Sequence, residues 1–395
     1  MNLFYAATHV AFATSLAIIS AKSHLTAATS IFRDKQKESL PIKRNSITTG
    51  PFGKTGGPGH NAKDVKTKIK AERIIGGEEA THGRYSYTVS LQLDDDRGHN
   101  CGGTIIARDV ILTAAHCLGY FHEVVVGRHD LTVSSEGEEI GIDSDASILM
   151  HPLYDATKLK YDVGLIILSQ EITADVDIVK LNTEDELPDS LESVTAVGWG
   201  YTSLATYSSW GYLVDEPVLS DVLMEAEMYA LSNEYCYEIL TSVWKDSYGY
   251  EYGENFGGWG LDDDEYSGYS NISFPLTVDD FKSMMCTSDP FSQTCLGDSG
   301  GPLVVKGNDE HGADDVQVGI VSWLLGECEE GKPGMYVRIS EVYDWIEANV
   351  CRLSNNVPES FKCGSTNNEI KKAAELRYDA GKSGRRIFRN KKRDA

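Results

Sequence analysis

An all-β body of barrel or sandwich type, closed by one helix, is the fold class this sequence predicts. Two observations carry that prediction. From residue 74 the apolar residues fall into short runs separated by turn residues, a texture that belongs to barrels and sandwiches. Only 340–350 spaces its apolar residues at the helical period.

In chain order the strand-like runs are 87–93, 104–106, 110–112, 123–126, 165–168, 193–197, 303–305, 316–321 and 334–339. The run 165–168 is continuously apolar, as in a strand covered on both faces. In 340–350, Val342, Trp345, Ile346 and Val350 share one helical face, with Ser340 as the expected N-cap. The stretch 237–280 is rich in Tyr, Gly and Asp and reads as a long surface loop. Its Asp262-Asp263-Asp264-Glu265 run lacks the glycine and spacing of a calcium-binding EF-hand loop and reads as a solvated face.

Charge divides the chain into three parts. Residues 1–73 carry 12 basic and 4 acidic side chains, residues 74–370 carry 14 and 53, and residues 371–395 carry 10 and 3. An acidic body between two basic arms disfavours nucleic acid as a partner and favours solubility. Residues 1–21 are apolar, uncharged and rich in Ala and Ser near their end, and read as a signal peptide. An uncleaved anchor or a transit peptide is the competing reading. Residues 22–73, rich in Lys, Gly and Ser with few large apolar side chains, read as a flexible basic segment. Eight cysteines and the sequon at Asn271 point to an oxidising, extracellular destination. The tail 381–393, with Arg385-Arg386 and Lys391-Lys392-Arg393, reads as solvated chain, with anionic surfaces as the alternative.

The chemistry centres on Cys295-Leu296-Gly297-Asp298-Ser299-Gly300-Gly301-Pro302. A serine hydroxyl needs a base to become a nucleophile. Glycines around it allow unusual backbone angles and close approach of a substrate. The amides of Gly297 and Ser299 can then point at a developing oxyanion. Among ten histidines, His116 stands out, because it follows an apolar strand and precedes Cys117. Asp162 sits at the mouth of the continuous apolar run, where a carboxylate is costly unless it accepts hydrogen bonds. Each of the three alone has a structural reading; together, in the order His, Asp, Ser, they are specific.

These residues resemble the trypsin-like (chymotrypsin-fold) serine proteases. The likeness covers 74 to about 351 and rests on Ile74-Ile75-Gly76-Gly77, the run ending Ala114-Ala115-His116-Cys117, 161–168, Gly198-Trp199-Gly200, 297–302 and Val321-Ser322-Trp323. It implies two antiparallel six-stranded β-barrels with a C-terminal helix, and a catalytic triad of His116, Asp162 and Ser299. It implies an oxyanion hole from Gly297 and Ser299. It implies a zymogen with 1–21 as signal peptide, 22–73 as basic pro-segment, 74–351 as protease domain and 352–395 as an extension with a basic tail. Cleavage at Arg73-Ile74 would free an amine to pair with Asp298. The implied disulfides are Cys101–Cys117, Cys236–Cys286 and Cys295–Cys328, leaving Cys351–Cys363. The implied partners of a secreted monomer are protein or peptide substrates, an activating protease and protein inhibitors, with no cofactor or metal. A catalytically weak or inactive homologue acting as a binding protein is the alternative.

Several positions depart from the family pattern. Trypsin carries Asp six residues before the serine; Gln293 stands there and removes the charge that selects Arg or Lys. Leu324 replaces the Gly common after Trp323 and is expected to narrow the pocket, while Gly334 leaves the opposite wall open. With Ser322 and Trp323 these residues form the expected substrate-binding set, favouring a small-to-medium uncharged P1 side chain and requiring a separate activator. Gly164 replaces the usual Ala and is expected to loosen its strand. Arg128 sits where calcium-binding relatives supply Glu, with Glu136, Glu138 and Glu139 nearby, which points to an Arg–Glu bridge in place of the ion. The stretch 237–280 is expected to border the substrate cleft.

Overall fold

A computed structural model describes residues 77–363, apart from 94–97, 120, 143–145, 204–205, 208–212, 216, 249–275, 290–291, 325–327 and 329–331. The signal-like stretch, the segment 22–73, the Arg73-Ile74 bond, Asn271, the acidic run 262–265 and the basic tail lie outside the described residues.

The first sheet holds β1 (Thr88–Gln92), β2 (His99–Ala107), β3 (Val110–Thr113), β4 (Glu123–Val126), β5 (Glu138–Gly141), β6 (Ser147–Met150) and β7 (Gly164–Ile167). Its order is β5-β4-β1-β2-β3-β7-β6, antiparallel throughout. The second holds β8 (Ser193–Gly198), β9 (Met224–Leu231), β10 (Met284–Ser288), β11 (Pro302–Val305), β12 (Val316–Leu324) and β13 (Gly334–Arg338). These run β9-β8-β11-β12-β13-β10, and β10 returns to pair with β9. The expected two-barrel class is the one observed. The second barrel closes on six strands, while the first sheet curls as a half-barrel whose outer strands are β5 and β6.

Burial explains the strands. Val89 and Leu91 are fully buried, and all four residues of β7 are buried, as a continuous apolar run requires. Of these thirteen strands, β5, β6, β9 and β10 escaped the sequence reading. β5 and β6 are short edges, and β9 reads Met-Glu-Ala-Glu-Met-Tyr-Ala-Leu, which mixes strong helix formers with a period of two. Met224, Ala226, Met228 and Ala230 are buried and Glu227 faces out, so burial decided against propensity.

Two expectations are corrected. The stretch 237–280 is not all loop. Helix α1 (Asn233–Tyr248) runs through its first twelve residues, and a 3-10 turn, Val278–Ser283, covers its end. The helix forms because Ser232 Oγ accepts the Tyr235 N–H at 3.2 Å, and because Cys236 and Leu240, one turn apart, bury against Phe281 and Leu231. Ser340 is not the N-cap of the last helix. That helix, α2 (Ile339–Leu353), starts one residue earlier, and the buried Ser340 hydroxyl meets no partner.

The apolar stripe of α2, Val342, Ile346 and Val350, joins the same core cluster as the first sheet. The chain beyond it docks as well. Asp109, 2% exposed, accepts the Ser354 hydroxyl and the Asn355 N–H, and Phe361 stacks on Tyr343. All four implied disulfides are formed: Cys101–Cys117, Cys236–Cys286, Cys295–Cys328 and Cys351–Cys363. Each restricts the unfolded chain and contributes ~2–4 kcal/mol. Gly164 packs tightly instead of loosening β7, since a Cβ there would meet Leu118 Cδ1 at 2.5 Å.

Candidate active site

His116 and Asp162 meet because β3 and β7 are antiparallel neighbours. Thr113 pairs with Gly164, so the residue just past β3 and the residue just before β7 emerge at the same end. The 3-10 turn Ala115–Cys117 then presents the imidazole, and Cys117 is bonded to Cys101 on β2. Asp162 is fully buried and accepts three hydrogen bonds. The His116 backbone N–H reaches Oδ1 at 2.9 Å, His116 Nδ1 reaches Oδ2 at 2.7 Å, and Ser322 Oγ reaches Oδ2 at 2.6 Å. A carboxylate only accepts, so Nδ1 carries the proton and Nε2 keeps its lone pair. Burial presses the His116 pKa down, but the charge and hydrogen bond of Asp162 outweigh it, and the net shift is upward.

Ser322 comes from the second barrel. It lies where the β12–β13 register shifts between Val321 and Trp323, and such a bulge re-aims a side chain. Its hydroxyl, expected in the substrate-binding set, is committed to Asp162.

Ser299 is held at the seam between the sheets. Its carbonyl accepts the Gly102 N–H of β2 at 2.7 Å, and the next residue, Gly300, donates to Val321 O at 2.8 Å. Gly300 has φ +80°, and a Cβ there would run into Thr113 Oγ1 and Gly102 O; only glycine allows the loop this close to the first sheet. The Ser299 carbonyl oxygen and His116 Nε2 each lie 3.7 Å from Cys117 Sγ. Thus the fold brings the His116 imidazole and the Ser299 backbone to the same sulfur, with Asp162 bonded to the far side of the ring.

A fourth residue, His99, was missed by sequence reasoning. Its Nε2 lies 2.8 Å from Gly297 O and its Nδ1 2.7 Å from Ser90 Oγ. A carbonyl cannot donate, so Nε2–H donates to Gly297 and Nδ1 accepts the serine proton. Burial lowers its pKa to about 4, against the pull of the Gly297 bond, which keeps it neutral. The available signal was its place on β2 two residues before Cys101, a polar residue on the buried side of a strand.

Asp298, beside the serine, is 1% exposed. Its Oδ1 accepts the Gly200 N–H at 2.9 Å and its Oδ2 the Cys295 N–H at 2.8 Å. Burial outweighs both bonds and raises its pKa to about 6. Gly200 makes room for it, since a Cβ there would meet Asp298 Cγ at 2.5 Å.

The expected pocket residues lie at the end of β12, the start of β13 and in the loop before the serine. Gln293 is 1% exposed and neither its Oε1 nor its Nε2 has a partner. Trp323 is buried with an unpartnered Nε1. Leu324 packs on the Cys295–Cys328 bridge. A Cβ on Gly334 would stand 3.0 Å from Tyr336 Oη and 3.3 Å from Thr294 Oγ1.

Among the described residues, Cys101, His116 and Cys117 form the one cluster with metal-ligand geometry. Both sulfurs belong to a disulfide, so neither is the thiolate a metal needs. In the loop expected to replace a calcium site, Arg128 Nη2 bonds Glu139 Oε1 at 2.7 Å, and its Nε and Nη2 reach the carbonyls of Glu136 and Ser134. No helix among the described residues is long and apolar enough to cross a membrane.

Comparison with known proteins agrees with this geometry. The trypsin family model matches residues 74–257 and 259–346. Hypodermin-B of Hypoderma lineatum is 30% identical over 283 residues, 70% of this chain and 87% of that protein. Trypsin iota of Drosophila melanogaster is 27% identical over 288 residues, covering 72% and 90%. A trypsin of Squalus acanthias is 28% identical over 287 residues, covering 71% and 98%.

Proposed function

The chain belongs to the trypsin family of serine proteases, and on that premise we propose that it is a secreted endopeptidase, made as an inactive precursor, with Ser299 as its nucleophile. His116 takes the serine proton through Nε2 and returns it to the leaving amine. Asp162 fixes the tautomer and stabilises the imidazolium. The amides of Gly297 and Ser299 hold the oxyanion, with His99 steadying the Gly297 peptide through its carbonyl. The observation that carries this reading is the His116 Nδ1–Asp162 Oδ2 bond, which leaves Nε2 as the basic atom on the ring.

Activation follows from Asp298. A buried carboxyl raised to about 6 favours any cation brought to it. Cleavage after Arg73 supplies one in the Ile74 amine, and pairing would order the Gly297–Ser299 loop. Residues 22–73 are then the removed pro-segment.

Gln293 supports a P1 side chain that is uncharged and able to hydrogen-bond. Both ends of its buried amide lack partners, and such a group costs roughly 1–3 kcal/mol until a ligand satisfies it. An Arg or Lys at P1 would bring a charge with no counterion. Leu324 and Gly334 together favour a small or medium side chain, so Arg73 itself calls for a different protease. A peptide library cleaved by the processed protein should show neutral polar P1 residues; dominance of Arg or Lys would refute this assignment.

The central test is labelling with a fluorophosphonate after cleavage at Arg73. An adduct on Ser299, absent before cleavage and absent in Ser299→Ala, is expected. A correctly processed protein that takes no label would leave the binding-protein alternative in its place. N-terminal sequencing of the processed form should begin at Ile74.

A further inference from the structure

The loop joining β6 to β7 ends on Asp162, and it enters that residue in an unfavourable conformation. Leu159 has φ +50° and Tyr161 has φ +49°. Both lie in the left-handed region, where Cβ crowds the following carbonyl. Non-glycine residues stay there only when their surroundings hold them.

The surroundings come from the second barrel's side of the molecule. Lys160 Nζ lies 2.5 Å from Asp280 Oδ1, and Lys158 Nζ lies 3.3 Å from Asp280 Oδ2. Asp280 is 3% exposed. It also accepts the Thr277 N–H at 2.7 Å and the Thr277 hydroxyl at 2.9 Å, so its own position is fixed. Between the two lysines, Leu159 sinks into the cluster of Leu276, Phe281, Met284 and Trp323. Tyr161 stacks on His151 with ring centroids 4.9 Å apart, and His151 meets Trp345 of α2 edge-on. The Lys160 carbonyl accepts the Asp155 N–H at 3.1 Å, closing the turn.

We propose that Asp280 and Lys160, assisted by Lys158, are positioning residues: they clamp the β6–β7 loop in the strained form that aims Asp162 at His116. The 3-10 turn Val278–Ser283 ends the long Cys236–Cys286 connection, so this clamp links that connection to the carboxylate. Burial pushes the Asp280 carboxyl up, but the bonds from Lys160, Thr277 and Lys158 outweigh it and hold it well below the usual carboxylate range. Asp280 therefore stays charged at any pH where a histidine base works. The inference rests on Asp162 as the orienting carboxylate of the proposed protease.

The test compares Asp280→Asn, Lys160→Met, their double variant and Lys160→Arg in the processed full chain. Misplacing Asp162 by a fraction of an ångström should lower kcat roughly tenfold in each single variant. KM should stay within about twofold, since the two lysines bond Asp280 and not a residue of the expected pocket set. The double variant should be no worse than either single one, and Lys160→Arg should recover most of the rate. A second readout does not need turnover. In a Ser299→Ala background, the NMR-titrated pKa of His116 should fall by about half a unit in Lys160→Met as Asp162 draws away. An unchanged His116 pKa with kcat within twofold of the parent, even if the melting temperature drops, overturns the clamp. If Asp280→Asn does not fold, the Lys160→Met and Lys160→Arg pair decides. A parent protein with no turnover but a clamp-dependent His116 pKa would defeat the protease reading and leave the clamp standing.

Discussion

Asp162 and Asp298 are buried to the same depth, at 0% and 1% exposure, yet the two regions they anchor are built differently. Asp162 meets the His116 imidazole, the His116 backbone N–H and a serine hydroxyl once each, with both oxygens occupied and a titratable partner beside it. Asp298 is held by two backbone amides in a glycine-lined space, and burial raises it to about 6. The first is a carboxylate whose partners are already in place, set by the β3–β7 ladder and by Ser322. The second is a carboxyl whose desolvation is only partly offset, which makes it responsive to an arriving charge. One region is preorganised and the other is adjustable, and in the proposed enzyme the adjustable one decides when the first is used.

The largest effects should come from breaking the finished side. Ser299→Ala in the processed protein should lower kcat by about six orders of magnitude, and Asp162→Asn by about four, read by steady-state hydrolysis. Retention of a hundredth of the rate in either would remove the triad assignment.

The adjustable side should show itself in stability. A carboxyl whose folded pKa is raised contributes stability that is present below the unfolded value and lost as pH rises through the folded one. The unprocessed chain, blocked by Arg73→Gln, should therefore lose on the order of 3 kcal/mol from this group between about pH 4 and pH 7. Urea melts across that range should show the slope, and Asp298→Asn should flatten it. Equal slopes in the two proteins would mean that Asp298 is not the group responsible.

Smaller effects sharpen the contrast. His116 must be neutral to act as a base, and its pKa is raised, so the acidic limb of kcat/KM should lie above the ordinary 6.5. Ser322→Ala removes a competing donor from Asp162 Oδ2, so the limb should move to still higher pH while kcat falls less than about tenfold. A downward move would mean that Ser322 orients the carboxylate more than it shares its charge. Arg128 bonds to neither aspartate, and Arg128→Met should cost about 1 kcal/mol by removing its bonds to the Glu136 and Ser134 carbonyls and to the exposed Glu139. It should leave kcat unchanged, and added calcium should not raise the parent's melting temperature.

Much of this was legible in the sequence because it is local or chemical. The continuous run that became β7 and the apolar stripe of α2 follow directly from period and burial. His116, Asp162 and Ser299 could be singled out by their order and by the family motifs around them taken together, since each alone has a structural reading. β9 was hidden because its residues favour a helix in isolation, and α1 because its buried Cys236 and Leu240 sit among tyrosines and glutamates. His99 offered only its place just before Cys101 as a mark, since its partners, Ser90 and Gly297, come from another strand and another barrel.

By itself the sequence determined which groups are available, in what order, and which stretches must hide one face from water. Tertiary structure alone decided that a lysine before Asp162 meets Asp280, that Ser322 spends its hydroxyl on Asp162, and that Gln293 keeps an unpartnered amide. Those are long-range outcomes of strand register and sheet closure. A hydrogen bond or ion pair depends on tenths of an ångström between residues far apart in the chain, and only the packed fold sets such distances.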